Sequence, residues 1–424
     1  MPDTRHASAP RILIVADNAS ATFGGEAILP LKYFTLLARR GRDVRLITHE
    51  RNRVALCKAF PDLMDRIYYS RDTRMHRVLW RIGARFPGVI RDHLFGNLMG
   101  MITGWQQRKM ARDLVNEGGV DLVHQPIPVS PAAPSMLYGL GVPVVIGPMN
   151  GGMLYPPDYE DFEGRLSRLF VTIGRPLAGL INRIIPGKRR AAMLLVANDR
   201  TAKALPMHTV PVIELVENAV DFGLWSSTSR MAHKEGAFRL VYMGRFYALK
   251  GLDITIDALA EARTRLPEIE LSMDILGDGP ELEALQAQVE RLGLADVVRF
   301  PGFLPQSECA QYLANGDALI LGSLRECGGA VVLEAMAMGL AVIASDWGGP
   351  ADYLDDTCGI LVHPAPRNSF AKRQADAIVG LATDPERTKA LGKVGAERVR
   401  SIYDWQGKID QIEALYLQAL SRKE

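Results

Sequence analysis

Arg325-Glu-Cys-Gly-Gly-Ala-Val-Val-Leu-Glu-Ala-Met-Ala-Met-Gly339 lies between two apolar runs, Ala318–Leu321 and Ala341–Ser345. The runs have the length and β-branched content of buried strands, and the stretch between them reads as a loop followed by a helix. Together they predict a parallel strand-helix-strand unit with a right-handed crossover. Two carboxylates stand in this stretch, Glu326 before a glycine pair and Glu334 inside the Ala- and Met-rich part. An unpaired buried charge is expensive, so Glu334 requires a partner. Gly328 and Gly329 place bare backbone N–H groups at the helix start, where open amides and the helix dipole favour an anion such as phosphate. Glu334 lies roughly 7 Å further along the helix, at about 1.5 Å per residue, close to the offset between a phosphate and the hydroxyls of an attached ribose.

Outward from this unit the same pattern repeats. Residues 239–243, 270–276, 297–300 and 359–362 read as further strands, with helical spacing over 282–292, 371–381 and 409–420. A polar stretch, 226–236, separates this half from an earlier cycle of the same kind. There, strands at 11–16, 44–48, 122–124, 142–146 and 194–197 alternate with helices, the first over 26–40. The fold class is α/β with two doubly wound halves, expected at 1–215 plus a returning 405–424 helix, and 216–404. A chain of 424 residues holds two such domains, each large enough for its own core.

Four widely scattered cysteines, with no Cys-x-x-Cys pair, argue against a zinc site or a disulfide framework and for a reducing compartment. Residues 1–10 read as a short polar tail rather than a signal peptide, and no apolar stretch reaches the roughly 20 residues of a membrane span. Net charge is only +2, but it is unevenly divided: residues 1–205 hold 29 Lys and Arg against 17 Asp and Glu, whereas 206–424 hold 21 against 31. The first half is therefore expected to face something anionic. Two of its segments resemble interfacial amphipathic helices. In 74–90, Arg74, Arg77, Arg81 and Arg85 share one face, and Val78, Leu79, Ile82, Phe86 and Val89 another. In 164–190 there are seven Lys and Arg and no acid, interleaved with Leu166, Leu169, Phe170, Ile173, Leu177 and Ile184. Both are candidates for an anionic membrane surface; the competing reading is helices packed on the sheet with solvated arginines.

Gly244-Arg245, just after a strand, and Lys250-Gly251, before the next helix, set two cations at the carboxyl end of a parallel sheet, where open α/β sheets bind ligands. Their charge matches a diphosphate, with Arg245 as a planar fork and Lys250 as a point charge. Gly277-Asp-Gly-Pro-Glu-Leu-Glu283 looks superficially like a dinucleotide fingerprint, but Leu282 replaces the third glycine and two glutamates occupy the phosphate position. Gly279-Pro280 reads better as a helix start. No P-loop pattern and no Asp-x-Asp occurs, which removes the simplest nucleotide and metal clamps. Gly24 and Gly25 permit close approach of a ligand at the first strand-helix loop. Asn150 in a Gly-rich loop and His124 after a strand are candidate acceptor groups, against capping and core roles respectively.

These motifs, in this order, resemble the family-four (group 1) retaining glycosyltransferases. The match rests on Gly244-Arg245 with Lys250-Gly251, Leu276-Gly-Asp-Gly-Pro280, Val298-Arg-Phe-Pro-Gly-Phe303, the Glu326 and Glu334 element with Ala335-Met-Ala-Met-Gly339, Gly348-Gly-Pro350, and Glu217-Asn-Ala-Val-Asp221. They cover most of the second half; the first half matches mainly in its strand pattern and Gly24-Gly25. The resemblance implies a GT-B fold: two Rossmann-like domains facing a central cleft, the last helix crossing back to the first domain. It implies that Arg245 and Lys250 bind the diphosphate, that Glu334 holds the ribose, and that Glu326 lies beside the donor sugar. Gly244, Gly328, Gly329 and Ala330 would line the donor, and the backbone of Phe303 and Leu304 would hold the base. Where the family has Gly-Phe-Gly after the first glutamate this chain has Cys327-Gly-Gly329, and the Gly147-Pro-Met-Asn150 loop replaces a frequent histidine.

The expectation is a cytoplasmic enzyme, peripheral at the inner membrane face. It would move a hexose-type sugar from a nucleoside diphosphate to a glycan or lipid-linked acceptor in cell-surface polysaccharide or glycolipid synthesis. Anomeric configuration would be retained, with no cofactor, metal or nucleic acid. The rivals are a GT-B phosphorylase or epimerase, and a catalytically silent subunit of a polysaccharide assembly complex.

Overall fold

The apolar runs 12–15 and 240–243 have no polar face to spare, and both lie in central strands covered on two sides, as parallel sheets require. A computed structural model describes residues 9–20, 25–162, 177–206, 208–226 and 236–422. The chain divides into two compact units, Met1–Gly152 with Gly164–Glu217 and Ile409–Glu424, and Met153–Glu163 with Asn218–Lys408.

Among the described residues the first unit carries seven strands. They are β1 (Ile12–Val15), β2 (Val44–His49), β3 (Ile67–Ser70), β4 (Leu122–Gln125), β5 (Val144–Met149), β6 (Met193–Val196) and β7 (Val212–Glu214). Their order is β3-β2-β1-β4-β5-β6-β7, and each neighbouring pair is parallel. β3 and β7 are short edge strands whose half-buried side chains leave no period to read, which is why the sequence does not announce them. The core on one side of the sheet joins Leu13, Val15, Val123, Ile146 and Leu194 to Ala111 and Leu114 of helix Asn97–Asn116.

The second unit has six strands among its described residues: β8 (Ala237–Met243), β9 (Glu270–Leu276), β10 (Val298–Gly302), β11 (Ala318–Leu321), β12 (Ala341–Ser345) and β13 (Ile360–Val362). The order is β10-β9-β8-β11-β12-β13, again all parallel. The order reverses between β8 and β11, so the loops leaving those two strands diverge to opposite faces and open a crevice at their carboxyl ends. Both units thus have the doubly wound α/β architecture expected from the sequence.

Three details depart from the sequence reading. The segment Met153–Glu163, placed there with the first half, groups with the second unit. Helix Leu282–Arg291 starts two residues after Pro280 rather than at it. Helix Pro385–Ile402, which no expected element covered, packs under helix Ala330–Ala337. The last helix, Trp405–Ser421, continues into residues that belong to the first unit. There Arg40 pairs with Glu413 at 3.0 Å, and the Tyr416 hydroxyl bonds His124 Nδ1 at 2.7 Å.

Candidate functional site

The site grows from the reversal point of the second sheet. β8 ends at Met243, Gly244 N–H donates to the Leu276 carbonyl, and Arg245 emerges exposed. Its guanidinium has no partner among the described residues. Phe246 turns inward and is fully buried, anchoring a loop that closes in the 3-10 turn Ala248–Lys250 before helix Leu252–Arg265.

From the neighbouring strand β11 the chain leaves through Gly322 and Ser323 to Glu326, whose carboxylate forms an ion pair with Lys250 Nζ. Both side chains are mostly buried, at 17% exposure each. The two loops of the reversal point are therefore joined by a charge pair between residues 76 positions apart. The sequence reading gave Lys250 and Glu326 separate ligand contacts; it did not see that they meet, and no local signal could have shown it.

The turn after Glu326 is held from two sides. Gly329, at φ +78°, caps helix Ala330–Ala337, and a Cβ there would stand 3.2 Å from Glu326 Cγ. Gly348, at φ +74°, lies so close that its Cβ would fall 2.4 Å from the Glu326 carbonyl oxygen. Gly349 N–H donates to that same oxygen at 2.8 Å. Gly328 is buried under this contact and Ala330 is half-buried; Val332 N–H donates to the Gly329 carbonyl at 2.9 Å, while the amides of Ala330 and Val331 precede the first bonds of the helix.

Glu334 stands about one turn into the helix, partly exposed among buried Val332, Leu333, Ala335 and Met336. It has no hydrogen-bond or ion-pair partner among the described residues. Burial pushes its carboxyl up to about 7. The partner that the sequence demanded is not supplied by the described protein. Cys309 registers the carboxylate's charge: its thiol is pushed up to about 11, by burial first and by Glu334 second. Cys309 also donates to the Leu304 carbonyl at 3.7 Å, which fixes the loop after β10 on helix Gln306–Ala314. Phe303 on that loop is exposed and Leu304 half-buried.

The segment after Gly152 adds contacts that sequence reasoning missed. The Met153 side chain lies against Gly348, Trp347 Nε1 donates to the Leu154 carbonyl at 2.9 Å, and the Arg325 guanidinium lies over the Tyr155 ring. Further along, Tyr159 is buried edge-on to Phe370, and Arg367 pairs with Asp161 at 3.0 Å. These residues strap the second unit beside the Glu326 turn. A Tyr-Pro-Pro-Asp-Tyr run gives no sign of where it docks.

In the first unit two candidates change meaning. His124 is fully buried, with Nε2 bonded to the Gly147 carbonyl at 2.7 Å and Nδ1 to Tyr416, and burial pushes its pKa down to about 4. With both nitrogens engaged inside the core it is a structural group, not an acceptor-side residue. Asn150 is likewise buried, its Oδ1 accepting from Thr201 Oγ1 and Asn198 Nδ2, which ties the Gly-rich loop to the short helix Asp199–Lys203. Gly25 opens helix Gly25–Arg39, exposed, and among the described residues nothing beyond its chain neighbours and its own helix backbone comes within 4 Å of a would-be Cβ. Gly24, residues 164–176 of the second amphipathic segment and most of the 226–236 stretch lie outside the described residues. Among the described residues no group of three or more His, Cys, Asp or Glu is arranged to hold a metal ion.

Comparison with known proteins bears on this geometry. Residues 227–398 match the family described as Glycosyl transferases group 1. A D-inositol 3-phosphate glycosyltransferase of Segniliparus rotundus is 31% identical over 218 residues, 49% of this chain and 47% of the relative. The chain spans about half the length of the curated relatives it matches. In fold it is similar to a glycosyltransferase from Rickettsia africae, with TM-score 0.68 and 13% identity over 97% of this chain and 99% of that one. It is also similar to Anabaena HepE in complex with UDP, with TM-score 0.66 and 16% identity over 96% and 100% of the two chains.

Proposed function

We propose, for a chain whose residues 227–398 match the group 1 glycosyltransferases, that it is a member of that family and transfers a sugar from a nucleoside diphosphate to a glycan or lipid-linked acceptor with retention of anomeric configuration. The observation that carries this reading is Glu334. It is a carboxyl without a described partner, in an apolar helix whose amino end opens beside the Lys250 and Glu326 pair. Ribose hydroxyls donating to Glu334, with the diphosphate on the helix amides, Lys250 and Arg245, would satisfy every one of these groups at once.

The chemistry follows from where charge develops. As the bond between the anomeric carbon and the diphosphate breaks, negative charge builds on the leaving oxygen, and the two cations and the helix amides are already in place to stabilise it. No metal is needed for that neutralisation. The acceptor oxygen bonds the anomeric carbon from the face the diphosphate leaves, and the acceptor proton passes to the leaving phosphate. Glu326 orients the sugar hydroxyls; its ion pair with Lys250 in the unliganded protein suits a positioning group rather than a nucleophile. The base would lie along Phe303 and Leu304. The acceptor side is proposed for the basic first unit, and the site of action for the cytoplasmic membrane face, in cell-surface glycan synthesis. Among the described residues no helix is long and apolar enough to cross a membrane.

A panel of UDP-, GDP- and ADP-sugars, with and without EDTA, tests the reading by nucleotide release and by mass spectrometry of the extended acceptor. Stabilisation by the nucleotide and EDTA-insensitive transfer with retention are expected. Phosphate-dependent breakdown of glycan, or an epimerised donor without acceptor, would replace the reading with a phosphorylase or epimerase. No thermal response to any nucleotide would leave a silent assembly subunit.

A further inference from the structure

Helix Arg74–Gly83 exposes its apolar side chains. Only a narrow line of it packs inward: His76 is buried, with Nε2 at 3.0 Å from Thr103 Oγ1, and Gly83 sits against the Phe95 ring. Next to that line Met75, Val78 and Ile82, at i, i+3 and i+7, form a stripe open to water. Phe86 continues it past the helix end, where its ring lies 5.4 Å from that of Phe95. Trp80, on the other side of the packed line, is 60% exposed. The adjacent helix Asn97–Asn116, against which this one packs, adds Trp105 at 58%. Beyond the apolar stripe runs a second one of Arg74, Arg77, Arg81 and Arg85, all exposed, and none has an ion-pair or hydrogen-bond partner among the described residues.

An exposed apolar stripe with tryptophan is costly against water and marks an interaction surface, and its edge of unneutralised arginines matches an anionic bilayer. Apolar side chains enter the acyl boundary, tryptophan rings sit at headgroup level, and long arginine side chains reach up to anionic phosphates. The packed-on-the-sheet alternative fails for this helix because the apolar stripe is not the face that packs. We propose that the helix Arg74–Gly83 and its exposed neighbours Phe86 and Trp105 form a docking surface for an anionic lipid bilayer. Four arginines without acidic partners favour a surface of continuous negative charge. The surface needs no glycosyl transfer to operate: it deepens the membrane placement proposed above, and it stands or falls apart from the donor reading.

Co-sedimentation of the full chain with phosphatidylglycerol/phosphatidylcholine vesicles, against pure phosphatidylcholine, tests it. Retention on the anionic vesicles, weakened by salt, is expected. In R77Q/R81Q/R85Q the partition coefficient should fall at least about tenfold, since each arginine near an anionic surface contributes roughly fivefold. V78S/W80S should fall comparably while keeping the unaltered circular dichroism spectrum. Both variants should keep the nucleotide-induced rise in melting temperature, which reports on the other unit. Absence of retention by the unaltered protein, equal retention on neutral vesicles, or retention unchanged in the arginine variant would each overturn the proposal, the first pointing to a protein partner instead.

Discussion

A carboxyl pushed up to about 7 makes Glu334 a reporter on itself. Its folded-state pKa is raised above the ordinary 4.5, so its contribution to stability is fully present below about 4.5 and is lost as pH rises through about 7. Lys188 acts in the adjoining window. Burial pushes it down to about 7, and its ammonium rests on the Pro131 carbonyl at 2.6 Å, so stability regained from it appears only above about 7. Glu334→Gln should remove the first slope alone, and should leave the protein more stable than the parent at pH 8 by on the order of 1–2 kcal/mol, allowing for partial exposure. Chemical denaturation at pH 5 and pH 8 measures this. Ribose hydroxyls donate best to the ionised form, so nucleotide affinity in the parent should rise several-fold from pH 6 to pH 8 and stay flat in the variant; titration calorimetry reads it. For Lys250→Ala, the loss of the proposed donor to the leaving phosphate should cost about 3–4 kcal/mol of transition-state stabilisation, a fall in kcat of roughly 100- to 1000-fold. Full transfer activity in that variant would remove the proposed mechanism.

At the scale of elements, the site is a meeting of turns rather than of helices. The Glu326 turn is held by the Gly348–Gly349 turn and flanked by the 153–155 segment, and each of these comes from a different part of the chain. Gly348→Ala would bring a Cβ against the Glu326 carbonyl at a backbone conformation that L residues rarely adopt. It should cost about 1–3 kcal/mol of stability and lower kcat more than it raises KM for the donor, because the turn that positions Glu326 shifts while the Glu334 helix does not. Thermal melting and steady-state kinetics on the same preparation separate the two effects. Trp347→Phe removes the indole donor to Leu154 but keeps the ring; a loss of about 0.5–1.5 kcal/mol is expected from denaturant titration. The helices were the easier elements to read, since 282–292, 371–381 and 409–420 carry period 3.6 and appear within a few residues of those bounds. β3, β7 and the strap have no period, so only their partners define them.

At the scale of the whole molecule, the last helix contributes a side chain to the heart of the first unit, where Tyr416 caps the buried His124. Tyr416→Phe leaves a core nitrogen without its partner and should destabilise the protein by about 1–3 kcal/mol with no change in nucleotide affinity, which denaturation and calorimetry together would show. Sequence by itself determined the two α/β halves and the parallel sheets, and it singled out Gly244-Arg245, Lys250, Glu326 and Glu334 as the candidate group proposed above for the donor. Those features follow from local periodicity, glycine placement and charge within single strand-helix-strand units. It also posed the problem of an unpaired glutamate in an apolar helix. Only the tertiary structure decided that Lys250 and Glu326 are paired, that His124 and Asn150 serve the core, that Met153–Glu163 joins the second unit, and that the apolar stripe of Arg74–Gly83 faces water. Each of these depends on which distant residues the sheet order brings to a given strand end or helix face. Spacing along the chain carries no record of that.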